Sequence, residues 1–547
     1  GPSGPVGPDL QREMQLRQQQ EAERMRLEQE RMEQERQRMR DQIAAEQARQ
    51  AQVSTAFQGL VQAERLERQG SVQAAAAVYR QFLDEVQPAP GSAEYAAGLS
   101  GFVRTMHAAG FRHVIRAEAL QATLLGTSNP EFARMFRILV DVANDAQFMD
   151  PQFERLPDIQ VGAMDQAFQD EWNYFLGRFF WVYGQYPRAT EFLQRVGDTA
   201  AQAGQAQYLI GVIALEQREQ RQANIAFQAA VLATERNESD PEVRELAYLA
   251  LARVAYEIAQ NDAALYYYRK IPAGSPRHAR AVFESAWTLL MKQDWNRAVG
   301  TLHGLHSPYY SAWFFPELHV MEAFAYLQTC NLEQAELAIE AHQRNVQALQ
   351  APVQAFIANA ASPEAYWEAI ATYYDRHGTA EPVALPIEAV RAGLANVDFV
   401  NEKALIEQLE AERDRLSSSA SALGDFAAAA LASVEAELRM KQIRAGLTIS
   451  SMLNSFVEEL TDWNVRAQEV GIEARTERIT AVDAALAGMD VRGTGRTSVF
   501  VLAADWQYWP FEGEYWADEV DNYRADLTMF RSESTGRCVF VEPGTEP

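Results

Sequence analysis

Cysteine is nearly missing from this chain of 547 residues, which holds only Cys330 and Cys538. They stand far apart and make no metal-ligand pair. Cys330 falls in a helical pattern where a small residue is expected, so it reads as packing, and two such thiols leave the cellular compartment open. Positive charge is also short. Lys and Arg number 49 against 75 Asp and Glu, giving a net charge of −26. No basic block stands clear of interleaved carboxylates, which excludes a nucleic-acid footprint and a polybasic attraction to anionic lipid. No apolar run approaches the roughly twenty residues of a bilayer span, so a soluble chain is expected. Alternating Val, Thr and Ile are scarce before the last fifty residues, which excludes a sheet-based body. A Gly-rich phosphate loop, a nucleophile elbow and an H-E-x-x-H run are missing too, and several enzyme classes go with them.

What is present favours helix. Ala, Leu, Gln, Glu and Arg dominate, and the length demands several domains or a stack of repeats. Residues 1–8 alternate Gly and Pro and read as a tether or cloning remnant. Residues 9–51 collapse to Glu, Gln, Arg and Met without Pro or Gly, a charged helix of about 60 Å. In it Met25, Met32 and Met39 sit seven apart, but Glu28, Glu35 and Gln42 fill the matching positions, so only half a coiled-coil seam exists. A solvated helix braced by Glu/Arg pairs is the plainer reading, and homo-oligomerisation through residues 9–51 the sharper one.

Six segments carry a common spacing. Two small residues twelve apart recur as Ala63 and Ala75, Gly177 and Ala189, Gly211 and Ala223, Ala252 and Ala264, Ala286 and Ala298, and Ala323 and Ala335. A turn falls about seven residues after the first, and bulky side chains such as Tyr79, Phe227 and Tyr268 follow the second. The steps from Ala189 to Ala223 and from Ala264 to Ala298 are both thirty-four residues. Two helices cross closely only where neither bears a large side chain, so the spacing predicts stacked helix pairs over residues 52–386. Residues 93–165 read as degenerate repeats. Pro352, Pro363, Pro382 and Pro386 punctuate shorter helices toward a boundary near Pro386. Residues 387–490 predict a long helical hairpin, broken at the Ser417–Ser421 run with Gly424.

The repeats resemble the tetratricopeptide-repeat superfamily, and the resemblance implies an all-α solenoid that binds proteins or peptides. A narrower likeness lies in "SPYYSAWFFPELHVMEAFAYLQTCNLEQAELAIE" and "DWQYWPFEGEYWADEVDNY", which resemble periplasmic repeat proteins of deltaproteobacteria, including gliding-motility machinery. That likeness implies an exported, periplasmic chain whose partners are subunits of an envelope complex. The function expected is therefore a non-enzymatic scaffold with no catalytic residue, cofactor or metal of its own. Two alternatives are a periplasmic coordinator resembling the Tol-associated one, oligomeric through its N-terminal coiled coil, and an enzyme of unrecognised type with a site in the tail.

Three clusters invite chemistry. His303, His306 and His319 would hold a metal if two converged with a carboxylate, but the aromatic loop between them favours packing. Tyr309, Tyr310, Trp313, Phe314 and Phe315 are expected to plug a seam between repeats. Residues 491–547 form an aromatic tail with Trp506, Tyr508, Trp509, Phe511, Tyr515 and Trp516 as clasp or partner contacts, and with Glu512, Glu514, Asp518, Glu519 and Asp521 as a solvated acidic rim. So many aromatics are expected to dock on the chain's own body, Trp509 and Trp516 in one pocket. The hairpin's Leu453, Phe456, Leu460 and Trp463 offer the nearest surface.

Overall fold

The computed structural model describes residues 8–143, 151–375, 384–487, 490–491, 512–525, 527, 531, 536–538 and 540–541. They form helices joined by turns and short loops, followed by irregular tail segments and a two-residue antiparallel pairing of β1 (Asp490–Val491) with β2 (Phe540–Val541). The chain falls into two units, and its hairpin belongs to both: residues 1–144 with 414–432, and residues 145–413 with 433–547.

The first unit contains α1 (Pro8–Arg68), α2 (Val72–Val86), α3 (Ala93–Ala108), α4 (Arg116–Leu124) and α5 (Phe132–Val142). The boundary expected at residue 51 falls inside α1, which runs unbroken from the charged segment into the first repeat, since no Pro or Gly interrupts residues 9–58. Ala63 and Ala75 let α1 meet α2, and Gly98 and Gly101 let α3 meet α2. A Cβ at Gly101 would lie 2.4 Å from the Tyr79 ring. The inserted residues 414–432 close this unit. The Phe426 ring meets Phe102 edge-on at 5.3 Å, the Arg80 guanidinium lies against both rings, and Arg415 donates to the Gly110 carbonyl.

The second unit holds five helix pairs. They are α6 (Gln166–Val182) with α7 (Tyr186–Leu193), α8 (Ala203–Glu216) with α9 (Gln220–Arg236), α10 (Pro241–Glu257) with α11 (Asn261–Tyr268), α12 (His278–Met291) with α13 (Trp295–Gly304), and α14 (Leu318–Gln328) with α15 (Leu332–Asn359). The eight alanines paired here are fully buried, and Gly177 and Gly211 are buried as well. A Cβ on Gly177 would sit 2.6 Å from Leu193 Cγ, and one on Gly211 2.5 Å from the Phe227 ring. Such clashes explain why the crossing points carry small residues.

Each pair turns through the same backbone. Seven residues after the first small position the chain is left-handed in all six repeats: Gly70 (φ +78°), Gly184 (+69°), Arg218 (+61°), Ala259 (+57°), Gln293 (+61°) and Cys330 (+57°). The two hydrogen bonds of a Schellman cap accompany each. At the second repeat Gly184 N donates to Trp181 O at 2.9 Å and Gln185 N to Phe180 O at 2.8 Å; at the sixth Cys330 N donates to Leu327 O at 3.2 Å and Asn331 N to Tyr326 O at 2.9 Å.

After α15 come α16 (Pro363–Asp375), α17 (Ile387–Leu394), α18 (Val397–Ser418), α19 (Ala420–Leu423) and α20 (Asp425–Leu486). Pro352 does not end α15 as its residue type predicts. Both it and Ala348, whose carbonyl loses its partner, are exposed, so water can take up the lost bond. α18 and α20 are tied by Arg444 and the buried Glu402, 2.9 Å apart. α20 meets the α14–α15 pair through Ala467, Gly471 and Ala474, small residues at i, i+4 and i+7.

Candidate interaction surface

The tail returns to the repeats, but to a different place from the one its sequence suggested. Its backbone runs over α13, whose Gly300 and Gly304 leave room for it. A Cβ at Gly300 would fall 1.9 Å from the Tyr523 carbonyl oxygen, and one at Gly304 2.2 Å from that of Val520. Val520 is buried among Leu265, Phe283, Leu302, Tyr310 and Phe315. Ala525 N donates to Asn296 O at 2.9 Å, and Leu527 N to Asn296 Oδ1 at 3.1 Å.

The hairpin residues expected to receive the tail are engaged elsewhere. Trp463 packs on the α14–α15 core, and Phe456 meets Phe314 at 5.6 Å. Tyr515 stacks on His303 at 5.3 Å, whereas Trp516 is 54% exposed. Trp506, Tyr508, Trp509 and Phe511 lie outside the described residues. In the aromatic loop, Tyr310 and Phe315 are buried, Phe315 stacking on Phe283 at 4.2 Å, while Tyr309 faces solvent.

Asp521 departs from the acidic rim to which its sequence assigned it. It sits 2.6 Å from His278 Nε2 and accepts from the Tyr310 hydroxyl. Burial alone would lower the His278 pKa, but the hydrogen bond and charge of Asp521 outweigh it and raise it. The ring geometry agrees: Nδ1 lies 3.1 Å from the Ile271 carbonyl, which can only accept, so Nδ1 carries a proton and a second proton at Nε2 faces the carboxylate. Burial would raise Asp521, yet the His278 and Tyr310 hydrogen bonds hold it below the ordinary carboxylate value.

Farther along, Arg531 N donates to Gln328 O at 3.0 Å, and its guanidinium reaches Glu473 at 2.7 Å and Glu477 at 3.5 Å on α20. Cys538 then forms a disulfide with Cys330 across 208 residues. Cys330 is therefore not a packing thiol. It occupies the left-handed turn of the last repeat, where its side chain reaches the tail instead of the crossing point. Neither Cys330 nor Asp521 carries a local signature; an even cysteine count is the one hint the sequence offers.

Beside this surface, His306, His319 and Glu322 converge, and His303 does not join them. His306 Nε2 is 2.8 Å from Glu322 Oε1, and His319 Nδ1 is 3.1 Å from Oε2. Burial would raise the Glu322 pKa, but the two imidazole hydrogen bonds win and lower it to about 2, so it stays ionised. The buried His342 goes the other way: burial first, then the charge of His319, lowers it to about 4 and keeps it neutral.

The first unit has its own groove of about 800 Å³, lined by Arg104, His107, Pro130, Glu131, Arg134 and Ile138. Arg104 is held there by Glu67 and Glu131, bidentate to the former at 2.6 and 2.5 Å.

No protein-family model matches the chain. No curated protein matches it either. Among solved structures, the TPR domain of P58(IPK) is similar at 12% identity over 71% of this chain and 99% of that one, with a TM-score of 0.19. So low a TM-score carries no argument. The helix-pair repeat of this all-α fold rests on the six small-residue crossings and the six identical turns.

Proposed function

We propose that the chain is a non-enzymatic scaffold that organises a multiprotein complex of the bacterial envelope, of the gliding-motility kind, by binding other proteins. The observation that carries the reading is the second face of α20. Its inner face is the small-residue row of Ala467, Gly471 and Ala474. Two residues away, about 200° around the helix, Val465, Ile472, Ile479 and Leu486 repeat every seven residues and are 51% to 82% exposed. An apolar row of about 32 Å with a seven-residue repeat fits one occupant, an amphipathic helix of a partner protein. Support for export comes from the disulfide, a bond that persists in oxidising compartments such as the periplasm.

Photo-crosslinking from position 472 in the envelope of the native host tests this. A defined adduct with a different protein, lost when Ile479 is changed to Glu, is expected. Absence of any adduct would reject the reading. An adduct with a second copy would favour the oligomeric coordinator, which one further observation supports: Met25, Met32 and Met39 on α1 are all exposed at the same seven-residue spacing.

A further inference from the structure

We propose that His306, His319 and Glu322 form a binding site for a zinc-type divalent cation. The chemistry of the donors suits it. Two imidazole nitrogens and a carboxylate are a borderline-soft N2O set of the kind zinc takes when it keeps a fourth position open. The three ligand atoms lie within 4.8 Å of one another. Around zinc, donors about 2.0–2.1 Å from the ion stand roughly 3.3 Å from each other. His306 Nε2 and His319 Nδ1 now stand 2.8 and 3.1 Å from the two different oxygens of Glu322, so admitting an ion asks these side chains to shift.

The fold supplies both a fixed and an adjustable side. His319 and Glu322 are one turn apart on α14, and Glu322 is buried, so those two donors are held by the helix. His306 comes from the loop after α13, and its side chain is 29% exposed. It can shift, and it leaves the fourth position open to water. The rings of His306 and His319 already face each other at 4.9 Å. His303 is drawn off by Tyr515 and Tyr523 of the tail and supplies no fourth ligand.

A cation here would pin the loop between α13 and α14 onto α14. That loop carries Tyr310, which holds Asp521, and Phe315, which packs in the core beneath Val520. Metal binding would thus tighten the seat of the tail. The site stands whether or not the chain is a scaffold, because it rests on these donors alone.

The test is calorimetric titration of the full, disulfide-intact chain with zinc chloride after chelator treatment. One zinc per chain is expected. The rim substitution His306→Asn and the helix substitution His319→Asn should each weaken binding by about tenfold or more. Circular dichroism of the metal-free variants checks that they fold, and His306→Asn, at the exposed rim, keeps the test open should His319→Asn fail to. A wild-type chain that takes up no zinc, or takes it up with the same affinity in both folded variants, overturns the site. A melting temperature that rises with zinc in the wild type but not in His306→Asn supports it.

Discussion

Asp521 shares its charge and its neighbourhood in sequence with Glu512, Glu514, Asp518 and Glu519, and it meets a histidine in the body of the protein. The His278 side chain is 13% exposed and that of Asp521 31%, so the pair is partly shielded from solvent, and the Tyr310 hydroxyl and the Ile271 carbonyl hydrogen-bond to it. Its contribution to stability has a definite pH course. The His278 pKa is raised on folding, so that contribution is complete below the ordinary histidine value of 6.5 and is lost as pH rises through the higher folded value. The Asp521 pKa is lowered, so its contribution is present above the ordinary 3.8 and is lost as pH falls through the depressed value. Asp521→Asn should therefore destabilise most between about pH 5 and 6.5, by about 1.5–3 kcal/mol, with the difference shrinking toward alkaline pH. Melting curves of both proteins from pH 5 to 9 would check it, and a constant difference across that range would mean the pair is not ionic.

At the scale of elements, the tail is held by the glycine platform of α13, by Arg531 and by one covalent bond. Closing a loop of 208 residues removes chain entropy from the unfolded state worth about 5 kcal/mol in the loop-entropy account. Reduction should lower the melting temperature and open the tail to protease while leaving the helical signal of the repeats intact. Cys330→Gly isolates this effect, because Gly70 and Gly184 occupy the same left-handed turn in other repeats and glycine accepts that backbone without strain. A variant that melts like the oxidised wild type, with its tail still protected, would show that the non-covalent contacts suffice.

For the whole molecule, the question is how many copies act together. α1 exposes Met25, Met32 and Met39 to water, and the opposing positions Glu28, Glu35 and Gln42 are polar, so any seam between copies is weak. The scaffold reading anticipates a monomer at micromolar concentration for both the full chain and a chain beginning at Gln52. Mass measurement by light scattering checks this, and an assembly formed by the full chain but not by the shorter one would transfer the assignment to the oligomeric coordinator.

The sequence alone determined the helix pairs. Helices that cross at close range tolerate only Ala or Gly at the crossing, so packing writes itself into residue identity at a fixed spacing, as at Ala189 and Ala298. The long helices near the C-terminus were legible for a similar reason: an uninterrupted run without proline admits little else. Tertiary structure decided the rest. Four of the six turns place Arg218, Ala259, Gln293 and Cys330 in a conformation that those residue types do not announce. Residues 414–432 leave the hairpin to complete the first unit because Phe426 finds Phe102, more than three hundred positions earlier. The tail around Val520–Ala525 docks on α13 and not on Leu453, Phe456, Leu460 and Trp463 of the hairpin, because its backbone there needs a surface without side chains, and Gly300 and Gly304 provide one. A docking site of that kind is a match between two distant segments, and neither segment carries it alone.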